Sequence, residues 1–85
     1  MSRSAFTDGY ATVVAGLVDA RRGAGMTQVE LATRLSKPQS FISKIERGER
    51  RIDVLEFCAL ARALGLLPSA LLEEIDSRLP SELAI

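Results

Sequence analysis

Residues 27–48 read TQVELATRLSKPQSFISKIERG, and this stretch decides the fold. Thr27 and Glu30 have the spacing of a capping box, in which a hydroxyl and a carboxylate satisfy two helical amide groups that would otherwise be unpaired. Pro38 suits the start of another helix because its φ is preset and its missing N–H is not needed there. Gly48 follows the last residue of that helical pattern, as is common after a helix C-terminus. The stretch therefore predicts two short helices joined by a tight turn.

Three further helices are predicted around this pair. Apolar residues at helical spacing indicate a first helix from Tyr10 to about Arg22. Asp53 is placed to cap a fourth helix that ends at Gly65, and a fifth is expected over residues 69–79. The side chains expected to face the core from the middle three helices are Val29, Leu31, Ala32, Leu35, Phe41, Ile42, Ile45, Leu55, Phe57, Cys58, Leu60, Ala61 and Leu64. We therefore predict an all-α fold, a compact domain of five helices.

The length of 85 residues is enough for one domain and no more. Residues 1–9 show no helical period, and we expect them to form a flexible arm. The domain itself is expected to span residues 10–79, and residues 80–85 are expected to fray. Apolar residues make up 47% of the chain, which suits a compact core better than a disordered tail.

The residue types argue against several function classes. The chain has no histidine, and so it lacks the commonest general base and the commonest zinc ligand. It shows neither a nucleophile paired with a base nor a loop for a cofactor, so we expect no enzyme and no cofactor or metal. Cys58 is the single cysteine, and the apolar runs are too short to cross a bilayer. We expect a cytoplasmic protein that does not bind membranes.

The charges are separated along the chain although they sum to zero. Residues 34–51 carry six cationic side chains against two carboxylates, a net charge of +4. Residues 52–85 carry two arginines against six carboxylates, a net charge of −4. Because phosphate binding depends on a local basic patch, the zero total does not argue against nucleic acid.

The second helix of the central pair has a polar outward face. Its apolar residues point inward, and the residues left outside are Gln39, Ser40, Ser43, Lys44 and Arg47. The major groove of DNA is about 12 Å wide and accepts one helix with its side chains. Glutamine can bond adenine N6 and N7, and lysine can donate to guanine O6 and N7. The face predicts binding to double-stranded DNA; an ordinary solvated helix face is the alternative interpretation.

Three motifs follow one another between Leu17 and Gly65: GMTQVELA, PQSFISKIERGER and LARALG. With these motifs the chain resembles the lambda-repressor-like family of helix-turn-helix domains, also called the Cro/C1 or Xre type. The resemblance implies a DNA-binding domain in which the second helix of the pair enters the major groove.

The resemblance also implies roles for single side chains. Those implied to face the bases are Gln39, Ser40, Ser43 and Lys44. Those implied to bind phosphates are Gln28, Arg47, Arg50 and Arg51. A structural ion pair is implied for Arg21 and Glu46, and Gln28 is also implied to brace the first base-facing residue. Two alternatives stay open: in one, Arg47 only pairs with a nearby carboxylate; in the other, Arg50 and Arg51 only add solubilising charge.

Two residues of the turn depart from the family pattern. Ser36 stands where glycine is usual, so a left-handed backbone at this position would be slightly strained. Pro38 stands where serine or threonine is frequent, so the following helix is expected to lack a side-chain cap.

The predicted C-terminal helix carries more apolar side chains than a core of four helices needs. Those expected to pair with a second copy are Leu71, Leu72, Ile75 and Leu79; the alternative is that they pack on Leu17 and Leu60 of the same chain. A two-fold dimer would bind two half-sites about one helical turn, ~34 Å, apart on a near-palindromic operator. We therefore expect a homodimeric, sequence-specific DNA-binding transcriptional regulator of bacterial or phage type. The alternative function is an antitoxin that binds a toxin protein and autoregulates its operon.

Overall fold

A computed structural model describes residues 7–85, and the regular structure in that part of the chain is entirely helical. The five helices are α1 (Asp8–Gly23), α2 (Gln28–Arg34), α3 (Gln39–Glu46), α4 (Val54–Ala63) and α5 (Pro68–Asp76). The predicted all-α domain of five helices is thereby confirmed. Residues 1–6, which belong to the expected N-terminal arm, lie outside the described residues.

Side-chain caps fix where α2 and α4 begin. The Thr27 hydroxyl accepts from the Glu30 amide at 3.1 Å, and the Glu30 carboxylate accepts from the Thr27 amide at 2.8 Å. Asp53 and Glu56 form a second box of the same kind at the start of α4, with distances of 2.7 and 3.0 Å. Both predicted caps are confirmed, and Glu56 is a partner that the sequence analysis did not name.

The outer helices differ from their predicted bounds. The Thr7 hydroxyl accepts from the Tyr10 amide at 3.2 Å and caps α1, so Asp8 and Gly9 of the expected arm lie in the helix. At the other end α5 stops at Asp76, three residues before the expected end at residue 79. Beyond it, the chain returns to α1: a Cβ built on Gly9 would lie 3.8 Å from Cδ2 of Leu83. Part of the segment expected to fray, residues 80–85, therefore lies against the start of α1.

All five helices contribute to one core. Its buried apolar residues are Leu17, Leu31, Ala32, Ile42, Ile45, Leu60, Ala61, Leu64, Leu71 and Ile75. Two residues expected in this core are exposed instead: Val29, and Leu55 with 78% of its surface exposed. At 3.6 residues per turn, Leu55 lies roughly on the opposite side of α4 from Leu60, so the two cannot both face inward.

Helices α1 and α5 approach closely at Gly16, and we expect Gly16→Ala to destabilise the fold. A Cβ on Gly16 would lie 2.6 Å from Cγ1 of Ile75, a side chain that is only 1% exposed. Overpacking of this kind costs about 1–3 kcal/mol, and the better helix propensity of alanine returns at most about 1 kcal/mol. The free energy of unfolding, measured in urea, should therefore fall by about 1–2 kcal/mol.

Gly23→Ala is the matched control for this substitution. Gly23 also lies in α1, but a Cβ added there meets nothing within 4 Å. This variant should be as stable as the parent or slightly more so, because only the propensity gain remains. Equal urea midpoints for the two alanine variants would show that the approach at Gly16 is not tight.

Within residues 7–85, no single helix combines the length and apolar character that a membrane span requires. By length and composition alone, α4 and α5 meet the requirement together, across a bend of 108° between them.

Candidate nucleic-acid interface

The turn between α2 and α3 is tight and contains a left-handed residue. Ser36 has a φ of 56°, which confirms the strained backbone expected where glycine is missing. The amide of Lys37 donates to the Ala32 carbonyl at 2.9 Å and closes the turn. Pro38 then occupies the N-cap position of α3 without a side-chain hydrogen bond, as expected from its departure from the family pattern. Beyond the turn, the buried side of α3 packs on α1 and α2.

One face of α3 is polar and open to solvent. Ser40 and Lys44 are exposed and Ser43 is half-buried, while Ile42 and Ile45 point into the core. The Ser43 hydroxyl donates to the Ser40 carbonyl at 3.3 Å, so it is bonded within its own helix. Lys44 makes no ion pair within residues 7–85, and its ammonium group projects from this face. The structure thus brings these three predicted base-facing residues onto one accessible stripe.

Gln39, the first residue of α3, is held in place by a chain of hydrogen bonds. Its amide nitrogen donates to Oε1 of Gln28 at 3.2 Å, and Nε2 of Gln28 donates to Oε1 of Glu46 at 2.9 Å. Gln28 therefore orients Gln39, in the way that the family resemblance implies. This series of hydrogen bonds ends on Glu46, at the C-terminal end of α3. Gln28 of α2 therefore connects the two ends of α3.

Glu46 is the acceptor at the centre of a buried ion pair. Nε of Arg21 donates to its Oε2 at 2.7 Å, and Nη2 of Arg21 donates to its Oε1 at 2.9 Å. The third nitrogen of Arg21, Nη1, donates to the Met26 carbonyl at 2.8 Å. The side chains of Arg21 and Glu46 are only 10% and 8% exposed. The hydrogen bond that Arg21 donates to Glu46 raises the pKa of Arg21, and the pair ties α1 to α3.

The cations beyond α3 have partners within the chain. Nε of Arg47 lies 2.9 Å from Oε2 of Glu49, and this hydrogen bond raises the pKa of Arg47 and lowers that of Glu49. Arg47 nevertheless stays 57% exposed. The guanidinium of Arg51 lies 4.3 Å from the ring centroid of Tyr10, whose hydroxyl accepts from the Ile52 amide at 3.1 Å. Both arginines remain at the surface next to α3.

Arg50 is engaged more extensively than its neighbours. Its two terminal nitrogens donate to the two carboxylate oxygens of Glu56, at 3.0 and 2.7 Å. Its guanidinium carbon also lies 4.7 Å from the ring centroid of Phe41 on α3. The sequence analysis missed both contacts. The one signal for them was Glu56 itself, the capping-box residue three positions after Asp53.

A helix-turn-helix family model matches residues 17–72, more than half of the chain. The chain belongs to this family, of the Cro/C1 or Xre type. An uncharacterised helix-turn-helix transcriptional regulator, y4dJ of Sinorhizobium fredii, is 41% identical over 46 residues, which are 54% of this chain and 60% of that protein. The chain thus spans less than two thirds of that curated relative.

Solved structures show the same fold. An Xre-family-like protein from Pseudomonas syringae pv. tomato superposes with a TM-score of 0.77 and 47% identity, over 85% of this chain and 88% of that one. The restriction–modification controller protein C.Esp1396I has a TM-score of 0.78 and 22% identity, over 85% of this chain and 95% of that one. That controller has also been solved as a tetramer with its natural operator of 35 base pairs. At 22% identity, this second likeness shows the fold alone.

In this helix-turn-helix domain the expected dimer seam needs correction. Leu71 and Ile75 are 5% and 1% exposed, since they point into the core of their own chain, and so they offer little surface to a second copy. Leu79 is half-buried. Leu72 alone of the four is exposed, at 57%. It lines an open groove of about 570 Å³ between α1, α4 and α5, and Ile75 and Leu79 of the predicted seam line the same groove. Other apolar residues along it are Val13, Ile52, Val54 and Phe57.

We expect the domain to lose stability in acid as the Glu56 carboxylate becomes protonated. The hydrogen bond from Arg50, aided by the Asp53 amide, lowers the pKa of Glu56 from 4.5 to about 2. A pKa below the unfolded value means that the stabilisation is complete above pH 4.5 and is lost as the pH falls toward 2. In thermal melts from neutral pH down to about pH 2, the melting temperature of Glu56→Gln should fall less steeply than that of the parent.

Glu73→Gln is the control for this acid titration, because Glu73 is exposed and makes no ion pair within residues 7–85. Its acid decline should follow that of the parent. A Glu56→Gln curve parallel to the parent curve would mean that the Arg50 contact is absent in solution.

Proposed function

We propose that the protein is a sequence-specific DNA-binding transcriptional regulator that binds a near-palindromic operator as a homodimer. The observation that carries this proposal is the polar face of α3, exposed after a tight turn and fixed to the domain at its other side. A single helix with such a face fits the major groove, where each base pair presents a distinct pattern of donors and acceptors. The protein acts by binding, without catalysis, in the cytoplasm.

Base recognition is assigned to α3, which we call the reading helix. The residues proposed to contact base edges are Gln39, Ser40, Ser43 and Lys44. Lys44 can donate to guanine O6 and N7, and within residues 7–85 its ammonium group has no ion pair to break first. Gln39 presents its amide in an orientation fixed by Gln28, which reduces the entropy lost when it bonds a base.

Phosphate contacts are assigned to side chains at both ends of the reading helix. They are Gln28 before it, and Arg47 and Arg51 after it. Arg47 is more than half exposed and can exchange Glu49 for a phosphate at low cost, because ion pairs in water are weak. The net charge of +4 over residues 34–51 draws this side of the domain to DNA, and the net charge of −4 over residues 52–85 turns the other side away.

The second copy is placed on the apolar groove between α1, α4 and α5. Leu72 and Val54 line the groove and are 57% and 79% exposed, although both are large apolar side chains. Contiguous exposed apolar surface of this kind marks an interaction site. A two-fold dimer through it would present two reading helices to two half-sites. The curated relative named above is a helix-turn-helix transcriptional regulator, which favours this partner over a toxin.

Selection of bound DNA from a random pool tests the proposal directly. The bound fraction should converge on an inverted repeat, with half-sites about 10 base pairs apart between centres. Failure of the pool to converge on any sequence would reject a sequence-specific regulator.

Lys44→Ala tests the reading helix on the selected operator. We expect an affinity loss of about 1–3 kcal/mol and a relaxed preference at one position of each half-site, because one base contact is removed. Mobility-shift titrations against the selected operator and its single-base variants measure both effects. Arg62→Ala removes an exposed cation from α4 and should leave both unchanged. Parent-like binding by Lys44→Ala would remove this residue from the base contacts.

A further inference from the structure

Arg50 connects the reading helix to the beginning of α4. Its guanidinium uses Nη1 and Nη2 on the two oxygens of Glu56, and Nη1 also donates to its neighbour's carbonyl, that of Arg51, at 2.9 Å. The bonds to Glu56 form the fork-to-fork arrangement that gives arginine and carboxylate pairs a defined geometry. Arg50 is thus held in one orientation before any DNA arrives.

Glu56 is itself fixed, so the orientation of Arg50 follows that of α4. Oε1 of Glu56 accepts from the Asp53 amide at 3.0 Å, and Oδ1 of Asp53 accepts from the Glu56 amide at 2.7 Å. A carboxylate that accepts both from a capping-box amide and from an arginine has little rotamer freedom left. The capping box of α4 therefore determines the position of the Arg50 guanidinium.

On the reading helix, the ring of Phe41 contacts the guanidinium of Arg50. The ring is half-buried, and it faces the guanidinium of Arg50 at 4.7 Å and the ammonium of Lys37 at 5.2 Å. Phe41 directly follows Ser40 and lies about one helical turn before Lys44. A shift of the Phe41 ring would therefore rotate the polar face of α3. Glu46 anchors the C-terminal end of the same helix. Contacts near both ends fix the direction of the helix axis, whereas a contact at one end alone would leave that direction free to change.

We propose that Arg50 is a positioning residue that aligns the reading helix through Phe41 and Glu56, and is not a phosphate ligand. The proposal rests on the proposed function, and it departs from the phosphate-binding role that the family resemblance implies. To bind a phosphate, Arg50 would have to leave both oxygens of Glu56. While it remains paired, its charge is offset by the carboxylate and adds little net attraction for the DNA backbone.

The salt dependence of operator binding separates the two roles. Removing one phosphate ligand lowers the slope of log K against log salt by about 1. Removing a positioning residue lowers the affinity for the selected operator, and its ratio to random DNA, while the slope stays that of the parent. For Arg50→Ala we expect an operator affinity about two- to thirtyfold lower, with the parent's slope.

Three further variants sharpen this test. Arg50→Lys keeps the charge but lacks the planar fork, so it should not restore binding, whereas it would restore a simple phosphate contact. Glu56→Gln releases Arg50: a positioning role predicts weaker operator binding, and a phosphate role predicts binding that is unchanged or tighter. Phe41→Leu keeps an apolar side chain on the reading helix and removes the ring under Arg50, and it should reproduce the loss of specificity. Thermal melts establish that each variant is folded at the assay temperature.

Arg47→Ala is the reference for a phosphate contact and should lower the slope by about 1. A slope loss of that size in Arg50→Ala, rescue by Arg50→Lys, or parent-like operator binding by Glu56→Gln would each overturn the inference while the proposed function stands. Absence of DNA binding by the unaltered protein would reject the proposed function, and this inference with it.

Discussion

Replacement of Glu46 by alanine is expected to lower the free energy of unfolding by about 3–5 kcal/mol, because it leaves a buried arginine without its counter-charge. Arg21 is 9% exposed and places two donors on the Glu46 carboxylate. The substitution also removes the acceptor of Gln28 and so breaks the hydrogen-bond chain to Gln39. A loss of this size is a large share of the 5–15 kcal/mol that typically holds a domain folded.

Urea unfolding followed by circular dichroism measures this effect, and two variants make it specific. Glu49→Ala removes the carboxylate of an exposed ion pair and should leave the midpoint unchanged, because such pairs are screened by water. The double variant Arg21→Met with Glu46→Leu removes both charges and fills their space with apolar atoms. It should recover most of the loss, since well-packed apolar residues often replace buried ion pairs at little cost. If Glu46→Ala unfolded at the parent's midpoint, the ion pair would have no structural role.

Leu72→Glu is expected to give monomers and to lower operator affinity by a factor of about 10²–10⁴, because two linked half-site contacts become one. Leu72 is the exposed leucine of α5 that lines the groove proposed for the second copy. A glutamate there would be desolvated on association and placed among apolar side chains, with Glu73 and Asp76 nearby on the same groove. Sedimentation gives the mass of the assembly, and mobility-shift titration gives the operator affinity.

Leu66→Glu is the control for Leu72→Glu. Leu66 is also an exposed leucine, but it lines a separate groove with Gly16 and Ala20 on α1. This variant should keep the parent's mass and affinity. An unchanged dimer mass for Leu72→Glu would remove the groove from the interface. Substitutions of Ile75 cannot serve this purpose, because a charge at a site that is 1% exposed would unfold the chain.

The parts of the fold that the sequence predicted best are those that depend on near neighbours. The partners of the capping box, Thr27 and Glu30, are only three positions apart, and the left-handed turn at Ser36 follows from the family pattern at one position. The burial of Ile75 depends instead on Gly16, which is distant in sequence and admits α5 close to α1. No local pattern carries that information, and the helical period of α5 alone does not say which leucine faces outward.

The candidate site divides in the same way. The bracing of Gln39 by Gln28 follows from the family resemblance, because both residues match motif positions of that family and the helices that carry them pack together. The partner of Arg50 does not follow from it. A long side chain in a loop can reach several acceptors, and its choice of Glu56 and Phe41 is made by the three-dimensional arrangement of α3 and α4. The family resemblance implies a phosphate contact for Arg50, and the structure shows this side chain paired with Glu56.

The side chains on α3 differ in how far their neighbours constrain them. Gln39 is bound to a chain that ends on a buried carboxylate, whereas Ser40 and Lys44 bond no residue of another helix within residues 7–85. Substitutions at Ser40 and Lys44 should thus be nearly free of folding cost, and those at Gln39 should not. Over evolutionary time such a scaffold can acquire new operator preferences by drift at the two unconstrained positions. Duplicated copies could then diverge into regulators of separate genes without first losing their fold.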